Sequence, residues 1–293
     1  MVSMNNVYQQ IGKVNEINGN PSFRGVATLI QWDLLGVDPI ATIKANIAAC
    51  QNHFVPTPDD IKNEPIAIVA FGPSLHDTWR EIAKFKTIFT CSGSHKFLLE
   101  RDIIPTYHLD SDPRAHKTKM LGKLHPSTQY LVASISHPSY IEYLKQQDIS
   151  KIRLWHIFLP ENEGLAALPR EEPLITGGDT IGPRTMKIAR LMGYTNMHFF
   201  GFDGCVDEKG SSHASPHGNP KGRTNPLKFN GHTYQTYDQW EEQIQWMLED
   251  LDRMPEIKWQ FHGKGLWQAM AKEHIPVKRY RLPLWVMAYE KTL

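Results

Sequence analysis

Short apolar runs alternate with amphipathic stretches between about residue 65 and residue 203. The runs, rich in Ile, Val, Phe and Tyr, predict strands at 67–71, 87–90, 106–109, 130–133, 152–157, 174–176 and 197–200. The stretches between them predict helices at 76–85, 94–101, 114–121, 138–147 and 182–192. Because strands alternate with helices, the pattern predicts an α/β fold with a Rossmann-like, doubly wound, mostly parallel sheet.

The flanking regions have different patterns. Residues 1–62 are predicted to form an N-terminal extension, with a helix at 38–52 that Asp38 caps, and residues 63–205 the core. Residues 206–235 are rich in Gly, Ser, His and Pro and lack an apolar period, so they predict a polar, histidine-rich loop and candidate lid. Residues 236–293 predict a helix (237–252), a strand (257–261) and a helix (266–273) that complete the domain.

Composition narrows the class of protein. The chain has 293 residues, and 32 Lys plus Arg face 31 Asp plus Glu, so its net charge of +1 gives no global field for nucleic acid or membrane. Three widely spaced cysteines are typical of a reducing compartment. Since no apolar run approaches the roughly 20 residues of a membrane span, we expect a cytoplasmic protein with no membrane partner.

Glycine-containing turns follow several predicted strands. Where such a turn opens a helix, backbone N–H groups and the helix dipole favour an anion such as phosphate. The candidate nucleotide-binding residues in these turns are Gly72, Pro73, Ser74, Leu75, Ser92, Gly93, Gly177, Gly178, Asp179, Thr180 and Lys264. An ordinary strand-to-helix turn, or a simple cap at Asp179 or Thr180, explains the same pattern.

Two carboxylates, Asp110 and Asp112, come directly after the predicted strand 106–109. Hard divalent cations such as Mg²⁺ or Mn²⁺ commonly bridge one or two carboxylates to substrate phosphates, so this pair predicts a metal site. The alternative is that Asp112 only caps a helix before Pro113. The basic residues that follow either neutralise a polyphosphate or form a solvated helix face: Arg114, His116, Lys117 and Lys119.

Three further side chains are candidates for catalysis. Asp203 follows the predicted strand 197–200 and could bind ribose hydroxyls or act as a base. His213 and His217 lie in the polar loop, where a histidine could supply acid or base chemistry on closure, although they could equally be surface residues or ligands of a structural metal. The tryptophans, among them Trp155 and Trp240, are predicted to lie in the core rather than to stack on a nucleobase.

The motifs 68–75, 93–99, 104–110, 177–178 and 201–203, taken in this order and spacing, resemble the MptE-like family over about residues 64–205. That family includes archaeal 6-hydroxymethylpterin diphosphokinases and bacterial motility accessory factors that glycosylate flagellin, and it is distantly similar to a sialyltransferase family. The resemblance implies a Rossmann-like fold that binds a nucleotide at Gly72–Leu75 and transfers a group from it. This chain departs from the archaeal pattern at 110–113, where an Asp-rich run with glycine is replaced.

Together these features predict a nucleotide-dependent transferase, with glycosyl transfer from a nucleotide-activated sugar to a hydroxyl preferred. The acceptor could be a small molecule, a protein or a hydroxymethylated base in DNA, the last suggested by basic residues at 221–223, 228 and 278–281. One alternative is an ATP-dependent diphosphokinase acting on a pterin-like hydroxymethyl group. Another is a non-catalytic nucleotide-binding module.

Overall fold

The computed structural model describes residues 37–158, 169, 172–177, 180–216, 223–276 and 285–287. The strands are β1 (Lys62–Val69), β2 (Thr87–Cys91), β3 (Tyr107–Asp110), β4 (Gln129–Ala133), β5 (Ile152–Ile157), β6 (Pro173–Ile175), β7 (Tyr194–Phe200), β8 (Asn225–Phe229), β9 (His232–Thr236), β10 (Lys258–His262) and β11 (Trp285–Met287). The α-helices are α1 (Pro39–Ala49), α2 (Leu75–Ile82), α3 (Ser94–Leu99), α4 (Ser139–Gln146), α5 (Ile181–Leu191), α6 (Asp238–Asp252) and α7 (Leu266–Lys272).

Nine of these strands form one sheet in the order β10-β7-β1-β2-β3-β4-β5-β6-β11. The strands from β10 to β6 are parallel, and β11 adds antiparallel to β6. The order reverses at β1, because β2 continues the sheet on one side and β7 on the other. The predicted α/β, mostly parallel sheet is confirmed.

The central strand β1 is apolar because helices cover both faces of the sheet. Ile66 and Ile68 belong to one buried cluster, whereas Ala67 and Val69 belong to another, as the two-residue period of a strand requires. The helix α5 packs on the first of these faces and contributes Met186, Ile188 and Leu191 to it. The continuous run of apolar residues in β1 therefore reflects burial on two sides.

The segment that begins at residue 37 is part of the same domain. Asp38 caps α1 by accepting a hydrogen bond from the N–H of Ala41 at 3.0 Å, which confirms the predicted cap. Asn46, buried on α1, donates from Nδ2 to the carbonyls of Ser134 at 2.8 Å and Ser136 at 2.6 Å. These bonds hold α1 against the end of β4. The first 36 residues of the predicted extension lie outside the described residues.

The structure corrects two local predictions. The helix expected at 114–121 is a 3₁₀ helix, Ala115–Met120. The polar loop was predicted without strands, but its second half forms the β8–β9 hairpin. Its turn is Asn230-Gly231, in which both residues have positive φ (47° and 76°), as a two-residue hairpin turn of type I′ requires. The Asn-Gly signal was present in the sequence, but the absence of apolar alternation in the flanking strands concealed it.

The C-terminal elements extend the sheet and cover it. β10 pairs with β7, and α6 and α7 pack Ile244, Met247 and Leu266 into the main cluster. Within the described ranges, no helix has the length and apolar character needed to cross a lipid bilayer.

Candidate active site

A cavity of about 1160 Å³ lies at the carboxyl ends of the central strands. In open α/β sheets, ligands bind at this edge, where the strand order reverses. The predicted site residues that line the cavity come from six separate parts of the chain: Gly72, Ser92, Asp110, Asp112, Thr180, Asp203 and His213. Parallel strands therefore bring these predicted residues together, as expected.

The other predicted residues divide into two groups. Pro73, Ser74, Leu75, Gly93, Gly177 and Lys264 do not line the cavity. Ser74 and Leu75 are buried beneath its wall, and Lys264 is exposed in the turn before α7. Gly178, Asp179 and His217 lie outside the described residues.

The turn between β1 and α2 was predicted to cradle a phosphate with its N–H groups, and these groups already have partners. The Gly72 N–H donates to the Gly201 carbonyl at 2.8 Å, the Ser74 N–H to Asp203 Oδ2 at 2.7 Å, and the Leu75 N–H to the Gly72 carbonyl at 3.2 Å. The anion at this helix start is a carboxylate of the chain itself. These three N–H groups are therefore not presented to a ligand in this structure.

Asp203 connects three segments of the chain by hydrogen bonds. Its Oδ1 accepts hydrogen bonds from Ser74 Oγ at 2.5 Å and from Gln268 Nε2 at 3.1 Å, and its carbonyl accepts the Trp267 N–H at 3.2 Å. The side chain is 2% exposed, and this burial raises its pKa, against the opposing effect of the Ser74 and Gln268 hydrogen bonds. Gly72 permits the close approach, since a Cβ there would clash with the Asp203 carboxylate. Asp203 thus holds the turns in place.

The turn after β3 carries two cationic side chains, Arg114 and Lys117, next to Asp112. Asp112 forms a two-point ion pair with Arg114, from Nε to Oδ1 at 2.8 Å and from Nη2 to Oδ2 at 2.6 Å, and Lys117 Nζ lies 3.4 Å from Oδ2. Burial raises the pKa of Asp112, but the Arg114 hydrogen bonds and the Lys117 charge outweigh it and lower the pKa. Arg114 and Lys117 also line the cavity. One carboxylate therefore positions two cations at the cavity wall.

Asp110 has a different environment from Asp112. Burial raises its pKa to about 6, although the N–H of Asp112, which donates to Oδ1 at 2.8 Å, works in the opposite direction. A carboxyl group with a pKa close to neutrality is suited to exchange protons with a substrate. It lies in the same cavity wall as Arg114 and Lys117.

Asp110 and Asp112 are the predicted ligands of Mg²⁺ or Mn²⁺, but their oxygens already accept hydrogen bonds within the protein. Both oxygens of Asp112 accept hydrogen bonds from Arg114, and the Asp112 N–H occupies one oxygen of Asp110. A divalent cation held by both carboxylates would have to displace Arg114 and would lie beside Lys117. The arrangement as it stands fits a phosphate better than a metal ion.

The first half of the polar loop places His213 in the cavity. Its Nδ1 lies 2.8 Å from Ser212 Oγ, and its ring lies 5.7 Å from that of Phe71 and 6.4 Å from that of Trp240. Burial, together with the charge of Lys117, lowers the pKa of His213 to about 4. The imidazole is therefore neutral at physiological pH and can hydrogen-bond a substrate without adding charge.

Sequence reasoning missed part of the cavity wall. Trp155 is buried as predicted, but the prediction for Trp240 was wrong, because its half-buried side chain lines the cavity next to Tyr237. Their rings lie 4.5 Å apart in a T-shaped arrangement. Arg184, buried on α5, was also missed. The start of α6 carried the only available signal, since an aromatic pair beside a predicted lid suggests a contact with a ligand.

The start of α5 forms another wall. Thr180, Ile181 and Gly182 line the cavity, and the N–H and Oγ of Thr180 both donate to Gln243 Oε1, at 3.0 and 3.2 Å. The first N–H groups of a helix have no partners within the helix and favour anions. This helix start therefore lies where it can favour an anion in the cavity.

Comparisons with known proteins agree with this architecture. A comparison with curated protein sequences found no match. The solved structure of a MAf glycosyltransferase from Magnetospirillum magneticum AMB-1 matches with a TM-score of 0.61 and 16% identity, over 78% of this chain and 37% of that one. The present chain thus spans little more than a third of that protein's length, and the likeness shows the fold.

A mammalian sialyltransferase, solved with Gal-beta-1-3GalNAc-ortho-nitrophenol, matches with a TM-score of 0.43 and 13% identity, over 78% of this chain and 80% of that one. At the level of sequence, the family model described as 6-hydroxymethylpterin diphosphokinase MptE-like matches residues 41–209. This match covers more than half of the chain and contains β1 to β7, so the chain belongs to the MptE-like family.

Proposed function

We propose that this chain is a transferase that moves a sugar from a nucleotide-activated donor to a hydroxyl group of an acceptor. The observation that carries the proposal is the cavity at the switch point of the sheet, with Arg114 and Lys117 in its wall. Its volume of about 1160 Å³ exceeds the roughly 300–1,000 Å³ of a typical pocket for one small ligand. Such a cavity has room for a donor and an acceptor together.

The cations at the end of β3 would bind the donor phosphate. Arg114 and Lys117 both pair with the carboxylate of Asp112, and the start of α5 adds a favourable dipole from another wall. Hydrogen bonds between charged groups are stronger than neutral ones. As the bond to the sugar breaks, the leaving phosphate gains negative charge, and these groups would stabilise it.

Asp110 would act as the general base. It takes the proton from the acceptor hydroxyl, the hydroxyl oxygen attacks the anomeric carbon, and the bond between that carbon and the phosphate oxygen breaks. The phosphate leaves with the bonding electron pair. His213, which is neutral, would orient the acceptor, and Tyr237 with Trp240 would pack against a sugar or nucleobase ring. Asp203 is a positioning residue in this scheme, because its oxygens hold Ser74 and Gln268.

A second candidate function is the transfer of diphosphate from ATP to a hydroxymethylpterin-like ring. The description of the family model supports it, and the Tyr237–Trp240 pair offers a flat ring an aromatic surface. A divalent cation on Asp110 and Asp112 belongs to this scheme, since ATP-dependent transfer commonly uses Mg²⁺ to bridge phosphates.

A panel of ligands separates the two functions. Thermal unfolding of the full chain is followed with nucleotide sugars, nucleoside diphosphates and ATP, each with Mg²⁺ and with EDTA. Saturation at 100 times the dissociation constant stabilises the folded state by about 2.7 kcal/mol. We expect stabilisation by one class of nucleotide sugar in either condition. Stabilisation by ATP alone, and only with Mg²⁺, would instead establish the second function.

The variant Asp112→Asn tests the metal directly. If Arg114 and Lys117 bind the phosphate, both cations remain in the cavity wall and nucleotide binding measured with EDTA persists. If Asp112 is a metal ligand, the variant loses Mg²⁺-dependent affinity. Asp59→Asn, at an exposed carboxylate, is the matched control.

A further inference from the structure

Three side chains with metal-ligating atoms converge away from the cavity. One ring nitrogen of His53, one ring nitrogen of His156 and a carboxylate oxygen of Glu172 lie within 4.8 Å of one another. His156 is on β5, and Glu172 directly precedes β6. His53 belongs to the segment before β1, which is bridged to β5 because the Phe54 N–H donates to the Leu154 carbonyl at 2.7 Å and the Leu154 N–H to the Asn52 carbonyl at 2.9 Å.

Both imidazoles face the same carboxylate. His53 Nδ1 lies 2.5 Å from Glu172 Oε1, and His156 Nε2 lies 2.8 Å from Glu172 Oε2. His156 is 1% exposed, whereas His53 and Glu172 are 17% and 25% exposed. The cluster is thus anchored in the sheet and open to solvent on one side, so an ion can enter it.

The donors and acceptors of His53 do not balance when the ring is neutral. Its Nε2 lies 3.2 Å from the Cys50 carbonyl, which only accepts hydrogen bonds, and its Nδ1 faces a carboxylate, which when ionised also only accepts. A neutral imidazole has a single N–H and cannot donate to both. A metal ion between Nδ1 and Glu172 would satisfy both groups while Nε2 donates to the Cys50 carbonyl.

The outer nitrogens are arranged as in metal-binding histidines. When Nε2 of His53 donates to the Cys50 carbonyl, its Nδ1 lone pair points at the cluster. His156 does the same if its Nδ1, 2.9 Å from Ser134 Oγ, donates to that hydroxyl. Histidine ligands commonly donate their second N–H to a carbonyl or another polar group, which fixes the tautomer. Two imidazoles and one carboxylate form a ligand set that zinc uses in proteins.

We propose that His53, His156 and Glu172 bind a first-row transition-metal ion, with Zn²⁺ as the preferred ion, and that the ion ties the segment before β1 to β5 and β6. The proposed site is separate from the cavity, whose lining includes none of the three residues. A test of this metal site therefore does not depend on the proposed transferase activity.

The test uses the purified full chain without an affinity tag. The protein is stripped with a chelator and titrated with Zn²⁺ against a chromophoric competitor, and Co²⁺ is added separately to record its visible spectrum. We expect one Zn²⁺ per chain and Co²⁺ bands typical of nitrogen and oxygen ligands. His53→Gln and Glu172→Gln should each weaken Zn²⁺ binding by more than about 100-fold, since even loss of an outer hydrogen bond costs about 10- to 100-fold.

The matched control is His274→Gln. His274 Nε2 lies 2.8 Å from Asp252 Oδ1 and the ring is 15% exposed, so this pair resembles the pair of His53 and Glu172 but has a single histidine. We expect it to keep the affinity of the wild type. Should the ligand variants not fold, Ser134→Ala removes only the outer partner of His156 and is expected to weaken binding about 10-fold.

Two results would overturn the proposal. One is the absence of stoichiometric Zn²⁺ or Co²⁺ binding by the wild type, which would leave the three residues as a hydrogen-bonded cluster without an ion. The other is wild-type affinity in the folded His53→Gln and Glu172→Gln variants, which would place the ion elsewhere.

Discussion

The turns after β7 and β3 both carry an aspartate into the wall of one cavity, and the partners of these two aspartates differ. After β7, Asp203 accepts hydrogen bonds from Ser74 and Gln268 and so joins three segments of the protein. After β3, Asp112 pairs with Arg114 and Lys117, which themselves line the cavity. The first turn is closed by its own chain, whereas the second presents charge to a ligand. A strand followed by a polar turn therefore predicts that the turn lies at the edge of the sheet. It does not predict whether the polar groups bond within the protein or bind a ligand.

The largest expected effect is a loss of stability when the Asp203 carboxylate is removed from the turn after β7. Asp203→Ala leaves the Ser74 N–H and the Ser74 hydroxyl without their acceptor inside the protein, whereas the Gln268 amide keeps its hydrogen bond to the His262 carbonyl. Each buried unsatisfied group costs about 1–3 kcal/mol, so we expect the free energy of unfolding to fall by about 3–5 kcal/mol. Urea denaturation measures it. Asp59→Ala, at an exposed carboxylate, should stay within about 0.5 kcal/mol of the wild type, and an equally small change in Asp203→Ala would contradict the structural role.

Replacement of Asp110 should raise the free energy of unfolding at pH 8, whereas replacement of Asp203 lowers it. Burial raises its pKa from 3.8 to about 6, so the folded state holds this proton more tightly than the unfolded state. The associated stability is present below pH 3.8 and is lost as the pH rises through 6, by up to about 3 kcal/mol. Asp110→Asn, which cannot ionise, should therefore be more stable than the wild type at pH 8 and similar to it at pH 4.

The same substitution tests the proposed base. Asp110→Asn should abolish transfer while nucleotide binding persists, and wild-type activity should rise with pH through about 6. Denaturation curves at pH 4 and pH 8 and a pH–rate profile provide the data. A variant that is less stable than the wild type at pH 8, or that retains activity, would refute the assignment.

The smallest effect is expected at the aromatic wall. Trp240→Ala removes a half-buried ring from the cavity, and stacking of a base on an aromatic side chain contributes about 1–3 kcal/mol. We expect weaker binding of the donor or acceptor by about 10-fold in a calorimetric titration. Trp259→Ala, at a half-buried ring outside the cavity lining, serves as the control. Equal losses in both variants would mean that Trp240 acts through stability alone.

The sequence predicts the repeating part of this fold well. The apolar run in β1 and its counterparts give strand positions because burial on both sheet faces leaves a strong local pattern. The start of β1 was predicted five residues late, since Lys62–Pro65 is not buried like the rest of the strand. Local pattern therefore identifies elements best where burial is complete.

Contacts between distant residues limit what the sequence predicts about the site. Ser74 and Asp203 are 129 positions apart, and nothing local shows that the carboxylate occupies the start of α2. The same limit concealed the cluster of His53, His156 and Glu172, which belongs to three segments. Asp110 and Asp112 were identified because adjacent chemistry is visible in the sequence, but their different environments depend on burial.

Nucleotide affinity of the charge variants at the end of β3 tests the central claim most directly. Calorimetric titration of nucleoside mono- and diphosphates compares the wild type with Arg114→Gln, Lys117→Gln and the control Lys96→Gln, whose exposed lysine pairs with Glu100. A hydrogen bond to a charged group contributes about 1.5–3 kcal/mol, so each of the first two variants should bind about 10- to 150-fold more weakly than the wild type, while Lys96→Gln binds equally well. Wild-type affinity in Arg114→Gln and Lys117→Gln, or no nucleotide binding by the wild type, would contradict the account.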